Sequence, residues 1–240
     1  MQSGSLPYRG YVQASEHGRI RLYQWDCMEL LKQTPDNYYG LCIVDPPYGL
    51  DVMHGGGYPK AQDFIAWERK SWDTATPSRQ YFDELRRVSI DQVVWGGNYF
   101  TEHLPPSQGW AIWDKMQREF SQADFEMAWT SFDKASRAFS MSRASAYTNQ
   151  VKIHPTQKPV ALYRWLLQNY AKPGQKILDT HGGSMSIAIA CDIEGYSLDL
   201  CELDKDYFEA GKKRLEAHQA APRLFDAQKE TFTQLSIEPE

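Results

Sequence analysis

Residues 176–202, KILDTHGGSMSIAIACDIEGYSLDLCE, decide the fold. A short apolar run, Lys176–Leu178, meets the turn Asp179-Thr180-His181-Gly182-Gly183-Ser184, then an apolar stretch of helical length, Met185–Ile193, and a second apolar run, Tyr196–Cys201. Strand, turn, helix and strand predict two parallel neighbours joined by a crossover, and a helix over Lys205–Ala217 continues the pattern. Upstream, Val160, Tyr163, Leu166, Leu167 and Tyr170 keep a 3.6-residue period until Pro173-Gly174, with Pro159 suited to the first helical position and Thr156 to the cap. Further strands are expected at Arg19–Tyr23, Leu41–Val44, Gln92–Trp95, Trp110–Trp113 and Phe125–Trp129, and helices at Met28–Lys32 and 79–88. The sum is an α/β chain: a mostly parallel twisted sheet with helices on both faces, whose ligands bind beyond the carboxyl ends of its strands.

At 240 residues the chain suits a single domain with a large core. With 42% hydrophobic and 24% charged residues, it falls outside disordered, collagen-like and coiled-coil compositions. No apolar stretch reaches the ~18 residues of a membrane span and no signal-peptide layout opens the chain, so a cytoplasmic protein is expected. The four cysteines, Cys27, Cys42, Cys191 and Cys201, stand singly in apolar surroundings and read as reduced core thiols. The histidines lack ligand spacing, so no metal is expected. The segments 1–17 and 218–240 read as loose tails, and 50–72, with Gly55-Gly56-Gly57, as a loop.

Two segments carry chemistry. Asp45-Pro46-Pro47-Tyr48 follows a buried strand directly, placing a carboxylate, freed carbonyls and an aromatic ring at the ligand edge. An exocyclic amine could donate both N–H bonds to Asp45 and the Pro46 carbonyl while its ring stacks on Tyr48; the bland alternative is a strand-ending turn with a capping Asp. In the second segment, Gly182 and Gly183 let the backbone approach a ligand at a helix N-terminus. Nineteen residues past Gly183, Glu202 stands where an acid meets ribose hydroxyls in nucleotide-binding α/β folds.

Val44-Asp45-Pro46-Pro47-Tyr48-Gly49 resembles the catalytic motif of the S-adenosylmethionine-dependent DNA amino-methyltransferases, and its position ahead of the glycine turn resembles their permuted beta class. The resemblance spans about residues 18–217. It implies a Rossmann-like methyltransferase fold with an antiparallel edge strand, S-adenosylmethionine as cofactor, and a small, phage-type enzyme whose recognition elements are insertions near 50–72 and 114–152. Asp45, Pro46, Pro47 and Tyr48 would be catalytic, with Asp45 also beside the cofactor. Asp179, His181, Gly182, Gly183, Ser184 and Glu202 would bind the cofactor, as would His154, Thr156 and Lys158 of the H-P-T-x-K-P-like segment, Lys158 facing its carboxylate. Asp26 either accepts from the cofactor's adenine amine or caps a helix. Relatives usually read D-P-F-x-G-S-G where this chain has Asp179-Thr180-His181-Gly182-Gly183-Ser184-Met185. Met185 in place of the last glycine leaves open an affinity loss or an inactive DNA-binding relative.

DNA contact needs positive charge, and residues 134–152 supply it: Lys134, Arg137, Arg143 and Lys152, with no acid. Lys115 and Arg118 extend this basic segment; the bland reading is a solvated loop. Trp95-Gly96-Gly97-Asn98-Tyr99-Phe100 either shapes the target-base pocket or packs the core. The expected activity is transfer of a methyl group to adenine N6 of a flipped-out base. N4-cytosine transfer is the nearest alternative, since members of that type more often carry Ser where Asp45 stands. A dinucleotide oxidoreductase lacks its G-x-G-x-x-G. A homodimer and a restriction partner stay open.

Overall fold

The computed structural model describes residues 11–13, 18–50, 74–118, 123–148 and 152–221. Their elements are β1 (Tyr11–Gln13), β2 (Ile20–Tyr23), α1 (Cys27–Gln33), β3 (Tyr39–Val44), α2 (Arg79–Val88), β4 (Ser89–Trp95), β5 (Trp110–Asp114), β6 (Phe125–Thr130), β7 (Arg137–Ser140), α3 (Arg143–Tyr147), α4 (Val160–Tyr170), β8 (Lys176–Asp179), α5 (Ser186–Glu194), β9 (Ser197–Cys201) and α6 (Lys205–Ala220). The strands form one mixed sheet in the order β1-β2-β9-β8-β3-β4-β6-β5-β7. Its middle, β2-β9-β8-β3-β4, is parallel throughout. Antiparallel pairing appears where β1 meets β2 and where β6 runs between β4 and β5, while β7 lies parallel to β5. This is the mostly parallel sheet that the alternation of elements predicts, in the Rossmann-like arrangement that the resemblance implies.

The period of two in β3 sorts its side chains between two cores. Leu41 and Ile43 join α4 and α5 residues such as Leu162, Leu166 and Ile187 on one face. Cys42 and Val44 join Leu30 and Leu31 of α1 and Phe82 and Leu85 of α2 on the other. Truncating one such side chain, Leu41→Ala for instance, removes packing worth about 2–5 kcal/mol. Cys42, Cys191 and Cys201 are free and buried, and Cys27 is free and half-buried.

The structure departs from the sequence reading at several element ends. Strand β1 lies inside the segment 1–17 read as loose, and α6 runs to Ala220, into the other tail. The basic stretch, for which a solvated loop was the bland alternative, carries β7 and α3. An exposed edge strand such as Arg137–Ser140 has no buried face to impose alternation on its sequence. Pro159 is the cap residue of α4 rather than its first helical residue, and Thr156 does not cap it: its hydroxyl bonds His154 Nδ1 at 3.1 Å. The loop 50–72, apart from Leu50, and His54 with it, lie outside the described residues.

Candidate active site

Parallel strands β2, β9, β8 and β3 end side by side, so the residues that follow them converge on one rim. There a cavity of about 800 Å³ opens, within the range of small-molecule sites. Asp26 borders it after β2, Glu202 after β9, Asp179's turn (Thr180 to Ser184) after β8, and Asp45 and Pro47 after β3; His154, Thr156 and Lys158 close it from the segment before α4. Asp179 itself is buried behind the turn.

Each of these groups is held. Asp26 caps α1, its Oδ1 accepting from the Met28 N–H at 2.9 Å, while still facing the cavity. Glu202 accepts from the Gly183 N–H at 2.7 Å on one oxygen and from the Asp204 N–H at 2.8 Å on the other. With the Leu203 N–H as a further donor, the carboxylate is fixed at the cavity wall. Asp179 accepts from the His181 N–H at 3.0 Å, and burial pushes its pKa up to about 8, so it carries its proton at neutral pH. His181 bonds Thr180 Oγ1 at 2.9 Å, and burial lowers it to about 4, which keeps the ring neutral. The His154 ring stands edge-on to Tyr207, centroids 4.3 Å apart.

Met185 answers the question its position raises. It is buried, with φ 56° and ψ 28°, in the left-handed conformation that costs a side-chain-bearing residue about 1 kcal/mol. The turn therefore keeps the shape a glycine would give it. Its side chain does not border the cavity but packs toward α6 beside Gly211, where an added Cβ would lie 2.7 Å from Met185 Cγ. The missing side chain of Gly211 is what makes room.

Around Asp45 the structure assembles a chain of charges. The Tyr48 hydroxyl donates to Asp45 Oδ1 at 2.6 Å, and the Lys158 ammonium donates to Oδ2 at 2.5 Å. Lys158 also lies 3.1 Å from Glu126 Oε2, and Lys115 lies 2.9 Å from Glu126 Oε1. Burial raises Asp45 above the ordinary carboxylate range despite Lys158. For Glu126 burial acts the same way, but Lys158 and Lys115 outweigh it and hold it at about 2. Lys158 borders the cavity with its ammonium turned to Asp45 and Glu126, the partners with which the ligand carboxylate of the sequence reading would have to compete. Tyr48 is stacked on Tyr99, centroids 5.1 Å apart and 18° between planes, and a side chain at Gly96 would strike its ring. Glu126 escaped the sequence reading: one acid in a strand announces nothing until Lys115 and Lys158 are seen on either side of it.

The expected DNA-facing cations divide. Lys115 is buried on Glu126, so it is withdrawn from that set. Arg118 is half-exposed and pairs with Asp114 at 3.0 Å. Lys134 and Arg137 are exposed on and beside β7, at the sheet edge on the Asp45 side of β8. Arg143 and Lys152 are half-buried, and Lys152 is lowered to about 8, first by burial and then by Arg143. Among the described residues no cluster of His, Cys, Asp or Glu could hold a metal, and no helix is long and apolar enough to cross a membrane.

Comparison with known proteins accounts for this arrangement. The DNA methylase family (N6_N4_Mtase) matches residues 101–213. The type II methyltransferase M.HpaI of Haemophilus parainfluenzae is 30% identical over 234 residues, covering 82% of this chain and 74% of that protein. The chain belongs to the N6/N4 DNA methyltransferase family. Among solved structures, the methyltransferase is similar to an M1.HpyAVI-SAM complex at 20% identity, TM-score 0.52, covering 81% of this chain and 99% of that one. It is also similar to the cytosine-N4-specific PvuII DNA methyltransferase at 14% identity, TM-score 0.54, covering 89% and 90%. At these identities the structural likeness concerns the fold. The family match begins after β4, so Asp45-Pro46-Pro47-Tyr48 lies outside it.

Proposed function

We propose that this DNA methyltransferase methylates adenine N6, using S-adenosylmethionine, with Asp45, Pro46, Pro47 and Tyr48 as its catalytic motif in the permuted beta-class order. The observation that carries the reading is the position of Asp45: its carboxylate borders the same cavity as Glu202, Asp26 and the turn from Thr180 to Ser184. Target and donor sites therefore share a wall.

The cavity fits the cofactor. Its volume suits a nucleoside joined to an amino acid, and Glu202 is fixed at its wall to accept from vicinal hydroxyls. Asp26 offers an acceptor for an adenine amine; His154, Thr156, His181, Gly182, Gly183 and Ser184 line the remainder, with Asp179 behind the turn. When bound, the cofactor supplies an electrophilic methyl group on a positive sulfur. The chain's residues do the rest. Tyr48 offers its ring to the flipped base, which costs a few kcal/mol of unstacking to extract. Asp45 and the Pro46 carbonyl accept the two amine N–H bonds, turning the nitrogen lone pair toward the methyl. The positive charge that the nitrogen would gain on accepting the methyl group falls beside the Asp45 carboxylate, which is also the first acceptor for the departing proton. Lys134, Arg137, Arg143, Lys152 and Arg118 supply phosphate contacts, and the described residues fold around one catalytic unit with its recognition elements in 114–152.

Aspartate at the first motif position supports adenine over cytosine. The test is to incubate the protein with mixed duplex oligonucleotides and labelled S-adenosylmethionine, then analyse nucleosides by mass spectrometry. N6-methyladenine is expected; N4-methylcytosine overturns the base assignment, and no transfer overturns the activity.

A further inference from the structure

Asp45 as it stands is a compromised acceptor. Its Oδ2 carries an ammonium at 2.5 Å, and an ion-paired carboxylate gives less electron density to an incoming amine. The Lys158 side chain is only 2% exposed, although it forms part of the cavity wall. Stranding a buried cation costs several kcal/mol, so Lys158 can release Asp45 only toward another anion. One is in place: Glu126 Oε2 lies 3.1 Å from the same Nζ. Glu126 is itself anchored by Lys115 on its other oxygen, and these two cations keep it ionised at about 2 although burial opposes them. The Trp95 ring, centroid 5.0 Å from Nζ, walls the space between with a face that tolerates a cation. Asp45 follows β3 and Glu126 sits on β6, with β4 between them, so the two carboxylates approach one lysine from different strands.

We propose that Glu126 is a positioning residue that takes the Lys158 ammonium from Asp45 when the target amine arrives, freeing the catalytic carboxylate to accept. This rests on Asp45 being the amine acceptor. A merely structural ion pair would hold one geometry throughout; here the lysine exchanges partners, and the buried network stays neutral while it does so.

The test is steady-state kinetics on the intact enzyme with duplex DNA, plus calorimetric cofactor binding. Glu126→Gln keeps the shape and removes the receiving charge: kcat should fall about tenfold, with the cofactor Kd and the KM for DNA within about threefold. Glu126→Asp should recover most of that loss. Glu126→Gln combined with Lys158→Met should be faster than Glu126→Gln alone, because no ammonium then competes for Asp45. Lys115→Met removes one of the two cations that keep Glu126 ionised, so kcat should fall in the same direction, by about threefold to tenfold; this variant decides the matter if Glu126→Gln does not fold. A Glu126→Gln kcat within about twofold of wild type, a double variant slower than Glu126→Gln, or a Lys115→Met kcat within about twofold of wild type overturns the proposal. Asp45→Ala in the same assay separates the failures: if it still transfers methyl groups, the acceptor reading itself falls, whereas a dead Asp45→Ala beside a normal Glu126→Gln sinks only the exchange.

Discussion

Two buried ion clusters sit on the same sheet and are built to opposite ends. Around Asp199 on β9, Arg21 donates Nε at 2.7 Å and a second nitrogen at 2.9 Å, Tyr39 donates its hydroxyl at 2.9 Å, and Lys176 lies at 2.7 Å. One carboxylate serves every donor, and each donor has its place set by strand register: Arg21 is paired directly across from Asp199. Around Asp45, two carboxylates share two ammoniums, and Lys158 has acceptors on either side. The first cluster has one arrangement; the second has two. That difference separates a cluster that fastens strands from one that faces a cavity and can be rearranged by what enters it.

The contrast breaks most sharply at its two aspartates. Asp45→Ala should lower methyl transfer by about a thousandfold while cofactor affinity stays within about twofold, read by tritium transfer and calorimetry. Asp199→Ala should do the reverse. Leaving Arg21 and Lys176 around a vacated buried site should cost about 3–5 kcal/mol in urea unfolding, with kcat of the folded fraction near wild type. If Asp199→Ala proved catalytically dead but stable, the two clusters would not differ in kind.

Smaller effects sharpen the picture. Asp179 has its folded pKa raised to about 8 against an unfolded value near 3.8, so the folded state binds the extra proton and stability drains away as pH rises from about 4 to 8. Asp179→Asn should flatten that decline in thermal unfolding curves, leaving the variant the more stable of the two at pH 8. His181 works in the other direction: held near 4, it makes stability fall as pH drops below about 6.5. Smallest of all, Tyr48→Phe keeps the ring and removes the hydroxyl on Asp45, and a kcat change of about threefold to tenfold is expected. A much larger loss would mean the hydroxyl, not the ring, is what the motif needs.

How much of this was legible beforehand follows from where the information sits. The central strands could be read because each is a short apolar run cut by Pro, Gly or Asp, and both faces of β3 are buried. The rim could be read because Asp45, Glu202 and the 179–184 turn each end such a run. The partnerships could not. Lys158 meets Asp45 across 113 positions and Arg21 meets Asp199 across 178, and no local spacing encodes such pairs. Lys115 looked like a cation for phosphate because its burial depends on Glu126, a residue with no signature of its own. The exposed strand β7 was missed for want of a pattern, and the cap of α4 was displaced because Thr156 spends its hydroxyl on His154.

Met185 and Gly211 together show a vacancy moved rather than lost. The turn's left-handed residue has acquired a long side chain, and a helix 26 positions downstream supplies the hollow that receives it. The backbone path that a glycine would supply there is intact. The hollow has two addresses in this fold, the turn and the helix, and a side chain at Gly211 would have to be matched by a smaller one at Met185.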